Sequence, residues 1–208
     1  MAPRRLQATF LGRVFSVKAG RAVVALPLGV LKSGALRLPE KEAALAKLES
    51  GPVIRVALRF DSAFWESRCP EVAFFHAPQA PFPTVWTPLP MRAPLLTAWA
   101  GGPKAARMRA QPASRLIDAA LVSVRTMFGE QQWRLAQAFV HDWAVDPHAL
   151  GAYSYLRVGG RGAREALATP LDRTIFFAGE ATDRHEAGTV AGALRSGRRA
   201  ATELLAQG

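Results

Sequence analysis

Two short apolar runs stand at opposite ends of the chain. Residues 22–26 read Ala-Val-Val-Ala-Leu and are stopped by Pro27. Residues 174–178 read Thr-Ile-Phe-Phe-Ala and lead into Gly179 and Glu180. Unbroken runs of this length fit strands buried on both faces, as in parallel sheets. Between them the pattern changes. Over residues 53–60, Ile54, Val56, Leu58 and Phe60 alternate with Arg55, Ala57 and Arg59, which predicts a half-buried strand. Residues 6–17 alternate loosely and fit one or two short strands. Residues 39–48 are rich in helix formers, and Gly51-Pro52 stops them. The proline- and aromatic-rich stretch from 70 to 103 predicts short strands at 72–75, 84–86 and 95–99, with turns between. Ile117, Ala120, Leu121, Val124 and Phe128 recur at helical spacing after a candidate N-cap at Ser114, and Gly129 ends that helix. Residues 135–140 form a further strand candidate, 159–162 (Gly-Gly-Arg-Gly) a loop and 190–205 an Ala-rich helix. The order predicts an α/β (α+β) fold whose middle is antiparallel. A sheet that starts, is interrupted by an inserted region and resumes accounts for the separation of the two buried runs.

Composition narrows the function classes. The chain has 208 residues, of which 50% are hydrophobic and 21% charged. That is a globular balance, and it excludes disorder and collagen-like repeats. Lysine and arginine total 27 against 16 acids, for a net charge of +11, and 22 of the 27 are arginine. The arginines are scattered, with no run longer than two. There is no zinc-finger spacing and no basic helical stripe. The charge therefore reads as a bias of arginine over lysine, and no nucleic-acid partner is expected. The single cysteine, Cys69, excludes a disulfide framework and a Cys-based zinc site, and the four histidines are scattered, so no metal is expected. No apolar stretch approaches the roughly 20 residues that span a bilayer. The N-terminal Met-Ala-Pro-Arg-Arg lacks a signal-peptide core. A cytoplasmic protein with no membrane partner is expected.

The chemistry concentrates near the C-terminus. A buried strand ends in Gly179-Glu180, a loop follows, and a helix begins near Gly188-Thr189-Val190. In open α/β sheets ligands sit outside the carboxyl ends of strands. A helix N-terminus there offers unpaired N–H groups to an anionic ligand. Gly188 lets backbone and ligand approach. Gly192, Ala193 and Gly197 let the helix press on a neighbour, and the Glu180 carboxylate suits ribose or ribityl hydroxyls. The plain alternative is a packed helix with ordinary turn glycines.

This segment resembles the C-terminal flavin motif of the flavin-containing amine oxidase family (Phe-Ala-Gly-Glu-His-Thr, then Gly-Thr-Val-His-Gly-Ala, then Ser-Gly). Gly179, Glu180, Thr182, Gly188, Thr189, Val190, Gly192, Ala193, Ser196 and Gly197 fall in register. Three further blocks resemble the family in the same order. They are the strand-turn from Ala25 to Gly34, which includes Leu26 and Pro27; Arg55-Val-Ala-Leu-Arg-Phe with Phe64-Trp65; and the block from Trp143 to Tyr155.

The resemblance implies part of an FAD-binding, Rossmann-like domain interrupted by a mixed or antiparallel substrate domain. Its segments would be 1–38 and 151–208 for the cofactor and 39–150 for the substrate. It implies non-covalent FAD and the oxidation of a small-molecule amine or amino acid by hydride transfer. Leu26, Pro27, Gly179, Glu180, Gly188, Thr189 and Val190 would meet the cofactor, with Glu180 and Gly179 along its ribityl and pyrophosphate. Trp143 and Tyr153 would wall the substrate side; plain core packing is the alternative for both, as it is for Trp86 and Trp99. Arg55 stands where many members carry a lysine that assists reoxidation by oxygen. The family's opening Gly-x-Gly-x-x-Gly is absent. The chain is therefore expected to be the C-terminal part of such an oxidoreductase; the alternative is an inactive fragment or a subunit that needs a separate N-terminal FAD-binding chain.

Overall fold

A computed structural model describes residues 4–10, 13–130 and 132–207, with side chains from residue 17 onward. The first three residues of the expected 1–38 segment lie outside the described residues. The chain divides into two units: Met1–Ser50 with Tyr153–Gly208, and Gly51–Ala152. The fold mixes helices with parallel and antiparallel sheet, and the second unit is inserted in the first.

The loose alternation near the N-terminus becomes an antiparallel hairpin of β1 (Arg4–Phe10) and β2 (Arg13–Ala19). The first apolar run gives β3, but only over Ala22–Val24. It is not the fully buried strand its composition suggests, because Val23 is 45% exposed. The reason is its position: β3 pairs with one strand only, leaving its other edge without a neighbour among the described residues. Pro27 caps a short α1 (Leu28–Lys32). The helix expected over 39–48 breaks into a 3-10 turn at Pro39–Lys41 and α2 (Glu42–Leu45). Leu48, fully buried, then carries the chain into β4 (Leu48–Gly51), where Lys32 Nζ donates to the Leu48 carbonyl at 2.6 Å.

The second unit is built on β5 (Val53–Phe60), as its alternation predicts. Around it lie β6 (Phe74–His76), β7 (Thr84–Trp86) and β8 (Leu95–Gly101). A short α3 (Gly102–Met108) precedes α4 (Ala113–Phe128), and β9 (Leu135–Asp142) follows. The sheet order is β6-β7-β8-β5-β9, antiparallel throughout. One face is apolar and buried: Ile54, Val56, Leu58 and Phe60 pack with Leu96 and Ala98, under Leu116, Ala120 and Val124 of α4. Burying each large apolar side chain contributes about 1.5–3 kcal/mol. Ser114 is not the N-cap. Pro112 holds that position with no side-chain bond, so α4 starts earlier than expected. Gly129 does end it, at φ 76°.

The chain returns to the first unit through β10 (Tyr153–Leu156), which pairs with β4, then α5 (Ala163–Ala168), β11 (Ile175–Phe177) and α6 (Val190–Leu205). β11 runs parallel to β3. Its two faces serve different layers. Phe177 joins Leu28, Leu31, Leu45, Leu48 and Leu167, whereas Phe176 packs with Ala200 and Leu204 of α6. The unit boundary thus falls at 50/51 rather than 38/39, because α2 and β4 bury Ala44, Leu45 and Leu48 in the first unit's core. Among the described residues no helix is long and apolar enough to cross a membrane.

One buried hydroxyl ties the α4 layer to the loop before β7. Ser123 Oγ accepts from the Phe82 N–H at 2.9 Å and donates to the Ala119 carbonyl at 3.0 Å. In Ser123→Ala the Phe82 N–H is buried without a partner, so urea unfolding should show a loss of about 1–3 kcal/mol.

Candidate functional site

The parallel pair β3 and β11 presents its carboxyl ends side by side. The Ala178 N–H donates to the Val24 carbonyl at 2.9 Å, so Leu26 and Pro27 leave the sheet beside Gly179 and Glu180. Gly179 has φ 113°, a conformation that side chains rarely adopt, and its N–H donates to Ser196 Oγ of α6 at 2.9 Å.

Glu180 is committed to the chain itself. Its Oε1 accepts from the Ser154 N–H at 3.2 Å. Its Oε2 accepts from Ser154 Oγ at 2.6 Å and from the Gly188 N–H at 2.7 Å. A carboxylate has about four lone-pair sites, so most of its capacity is in use. The role read from the sequence, accepting from sugar or ribityl hydroxyls, is thus shifted: Glu180 shapes the loop around the site. Beneath it, buried Arg164 donates through Nη1 to Ser154 Oγ at 2.6 Å and to the Ala181 carbonyl at 3.2 Å. Its Nη2 donates to the Ser154 carbonyl at 3.1 Å. Burial lowers the Arg164 pKa and the charge of Glu180 opposes that shift; a guanidinium stays charged under such conditions. Sequence reasoning missed Ser154 and Arg164. Ser154 lies in the recognisable Tyr-Ser-Tyr block, but nothing in the pattern marks an arginine ten residues later as buried.

Glu180 also holds Gly188, at φ 75°, just before α6. Thr189 is the N-cap, its Oγ1 accepting from the Gly192 N–H at 2.9 Å. The Val190 and Ala191 N–H groups have no partner among the described residues. Tyr153 borders this turn: a Cβ on Gly188 would lie 3.7 Å from the Tyr153 Cβ. Tyr153 and Val190 are 53% and 78% exposed, so neither is core. The first unit therefore gathers Leu26, Pro27, Gly179 and Glu180 at the strand ends, and links Tyr153, Gly188, Thr189 and Val190 to them through Glu180.

The approach of α6 depends on Gly192. A Cβ there would lie 2.1 Å from the Glu186 carbonyl oxygen, whereas one on Gly197 meets nothing within 4 Å. Of the two glycines expected to allow close packing, Gly192 does so and Gly197 does not. The turn it faces is organised by buried Asp183. That carboxylate accepts from the His185 and Glu186 N–H groups and from Arg195. The Arg195 bonds hold the Asp183 pKa well below the usual carboxylate range; burial opposes this and the two backbone N–H groups add to it.

The second unit carries its own candidate residues on the other face of its sheet. There Arg55 stands between Trp99 of β8 and His141 of β9, and the His141 ring meets Trp143 edge-on at 4.2 Å. Arg55 and Trp143 are thus brought into one cluster through His141, a residue that sequence reasoning passed over. Trp86 and Trp99 lie on this same face, away from the α4 core.

The chain matches the family model for flavin containing amine oxidoreductase over residues 8–205. The chain belongs to this family. Lysine-specific histone demethylase 2 of Homo sapiens is 32% identical over 202 residues, 90% of this chain and 25% of that protein. Lysine-specific histone demethylase 1 homolog 3 of Arabidopsis thaliana is 30% identical, over 88% of this chain and 12% of its own length. A structure of a putrescine oxidase variant superposes with a TM-score of 0.79 at 19% identity, over 93% of this chain and 44% of that one. The chain spans about a quarter, or less, of the length of these curated relatives.

Two outcomes follow from the geometry of this turn. Gly192→Ala should lower the thermal unfolding midpoint markedly, because the new methyl meets backbone rather than a movable side chain. Asp183, with its depressed folded pKa, stabilises the fold above the unfolded carboxylate pKa of about 3.9. That contribution is lost as pH falls below this value toward the folded pKa. Acid titration of unfolding stability should therefore be shallower in Asp183→Asn than in the wild type.

Proposed function

We propose that this chain provides the substrate unit and the closing cofactor segment of an oxidoreductase that binds FAD non-covalently and oxidises the carbon–nitrogen bond of a small amine or amino acid. The observation that carries this reading is the unpartnered N–H pair of Val190 and Ala191 beside the carboxyl ends of two parallel strands. When bound, FAD supplies two-electron acceptance of hydride from the carbon beside nitrogen. The chain binds and orients. The α6 N-terminus favours negative charge at the cofactor edge by about 0.3–1 kcal/mol. Glu180, braced by Ser154 and Arg164, keeps Gly188 and Thr189 in place for that contact. Trp143 in the second unit and Tyr153 in the first each offer an aromatic ring of the kind that suits a cationic amine. Arg55 presents the planar, forked guanidinium of an arginine. The single cysteine lies at position 69 in the second unit, away in sequence from every cofactor residue, which supports non-covalent binding.

The exposed edges of the first unit favour the subunit version of this reading. Parallel sheets are normally covered on both faces, yet among the described residues β3 pairs only with β11 and exposes Val23. On α6, Val190, Leu194, Ala201 and Leu205 form a second apolar stripe, exposed and separate from the buried face of Gly192, Ser196 and Ala200. A further strand and helix carrying the dinucleotide motif would cover both.

The test is flavin retention. Protein loaded with FAD and passed through gel filtration should carry the visible flavin spectrum, and denaturation should release the flavin. Retention only on co-expression with a Gly-x-Gly-x-x-Gly chain would establish the subunit version. Failure to retain flavin in both settings would overturn the oxidoreductase reading.

A further inference from the structure

We propose that the exposed face of the second unit's sheet selects a substrate bearing a carboxylate, with Arg55 and Arg59 as its anchors. The proposal rests on the oxidoreductase reading only in calling the bound molecule a substrate.

β5 sends Arg55, Ala57 and Arg59 to the face opposite α4. Both arginines are exposed, and neither has an ion-pair or hydrogen-bond partner among the described residues. Arg68, Arg107 and Arg115 of this unit are likewise unpaired among the described residues, whereas others are held by acids. Arg92 pairs with Glu71 at 2.6 Å and Arg134 with Asp61 at 2.6 Å. The face itself supplies no acid to the two arginines. No strand position on it is aspartate or glutamate. Asp142 of β9 is in register with Ile54, on the α4 side, and accepts from the Ala110 and Ala144 N–H groups. Asp146, in the loop after β9, lies 3.3 Å from His141 Nε2, and its Oδ1 accepts from the His148 N–H at 2.8 Å.

Between the arginines the face is apolar. Ala57 is flanked in register by Thr97 and Phe139, with Trp86 beyond Thr97. Phe139 is 68% exposed and adds an aromatic surface to this stretch. The Cα atoms of Arg55 and Arg59 are about 13 Å apart along the strand, within the reach of two long side chains toward one small molecule. A guanidinium matches a carboxylate with two parallel bonds. The face therefore complements a molecule with an apolar body and a negative group. A diamine or a lysine side chain would bring further positive charge to two unpaired cations and meet no acid at the strand positions of this face.

The discriminating probes are phenylacetate and phenethylamine, which carry an aromatic ring of the same kind and opposite charges. Binding to the full chain is read by tryptophan fluorescence and calorimetry at low ionic strength. Phenylacetate should bind saturably and at least about tenfold more tightly than phenethylamine, with the preference shrinking as salt rises. Arg55→Gln and Arg59→Gln should each weaken phenylacetate several-fold while melting as the wild type does, and Arg55→Lys should recover part of the loss. Equal binding of the two probes, absence of saturable phenylacetate binding, or undiminished binding in both folded glutamine variants would overturn the proposal. Flavin retention is scored separately. A chain that prefers phenylacetate but never retains flavin keeps the anion site and loses the oxidoreductase reading; a chain that retains flavin without anion preference does the reverse.

Discussion

The first unit depends on one carboxylate. Glu180 follows β11 directly and takes hydrogen bonds from the start of β10 and from the turn before α6. Three stretches that are remote in sequence meet at its two oxygens. Its charge is offset by Arg164, which reaches Glu180 through the Ser154 hydroxyl rather than directly. The arrangement places a buried cation, a hydroxyl and a carboxylate in series. A buried charge of either sign alone is expensive, and removing one partner strands the other. The geometry of the Gly188 turn is therefore set by the packing of α5, which carries Arg164, as much as by the turn's own residues.

Legibility followed the range of the interactions. The alternation over β5 was visible because a half-buried strand writes its two faces directly into the chain. The span of α6 was visible because its small residues and its Thr189 cap are local signals. The burial of β3 was misjudged for a reason of the opposite kind. Five apolar residues describe a strand that wants covering, and only the sheet order shows that one edge has no neighbour. The same holds for Glu180. Its position beside a strand end was legible, but the bonds that use it come from residues 26 positions upstream and 8 downstream. The short helices α1, α3 and α5 were unreadable because at five to seven residues they lack a full apolar repeat.

The second unit shows how one strand can serve two purposes. The even-numbered residues of β5 are held by α4 and fix the sheet's position. Of the odd-numbered residues Val53 is buried, but Arg55, Ala57 and Arg59 lie outside the core and share their face with Trp86, Trp99 and Phe139. Chemistry can vary on that face without disturbing the core beneath it. Position 55 is open to such change, because Arg55 lies outside the core cluster that holds the strand.

The two-sided character of α6 bears on how the molecule behaves as a colloid. Its exposed stripe is sticky, yet Arg195 and Arg198 rise beside it, and the chain as a whole carries a charge of +11. Copies of the molecule therefore repel at a distance and attract at contact. At physiological ionic strength the repulsion reaches only about 8 Å, and added salt shortens it further while leaving the apolar attraction intact. Dilute buffer keeps such a surface dispersed, and concentrated salt drives it toward self-association.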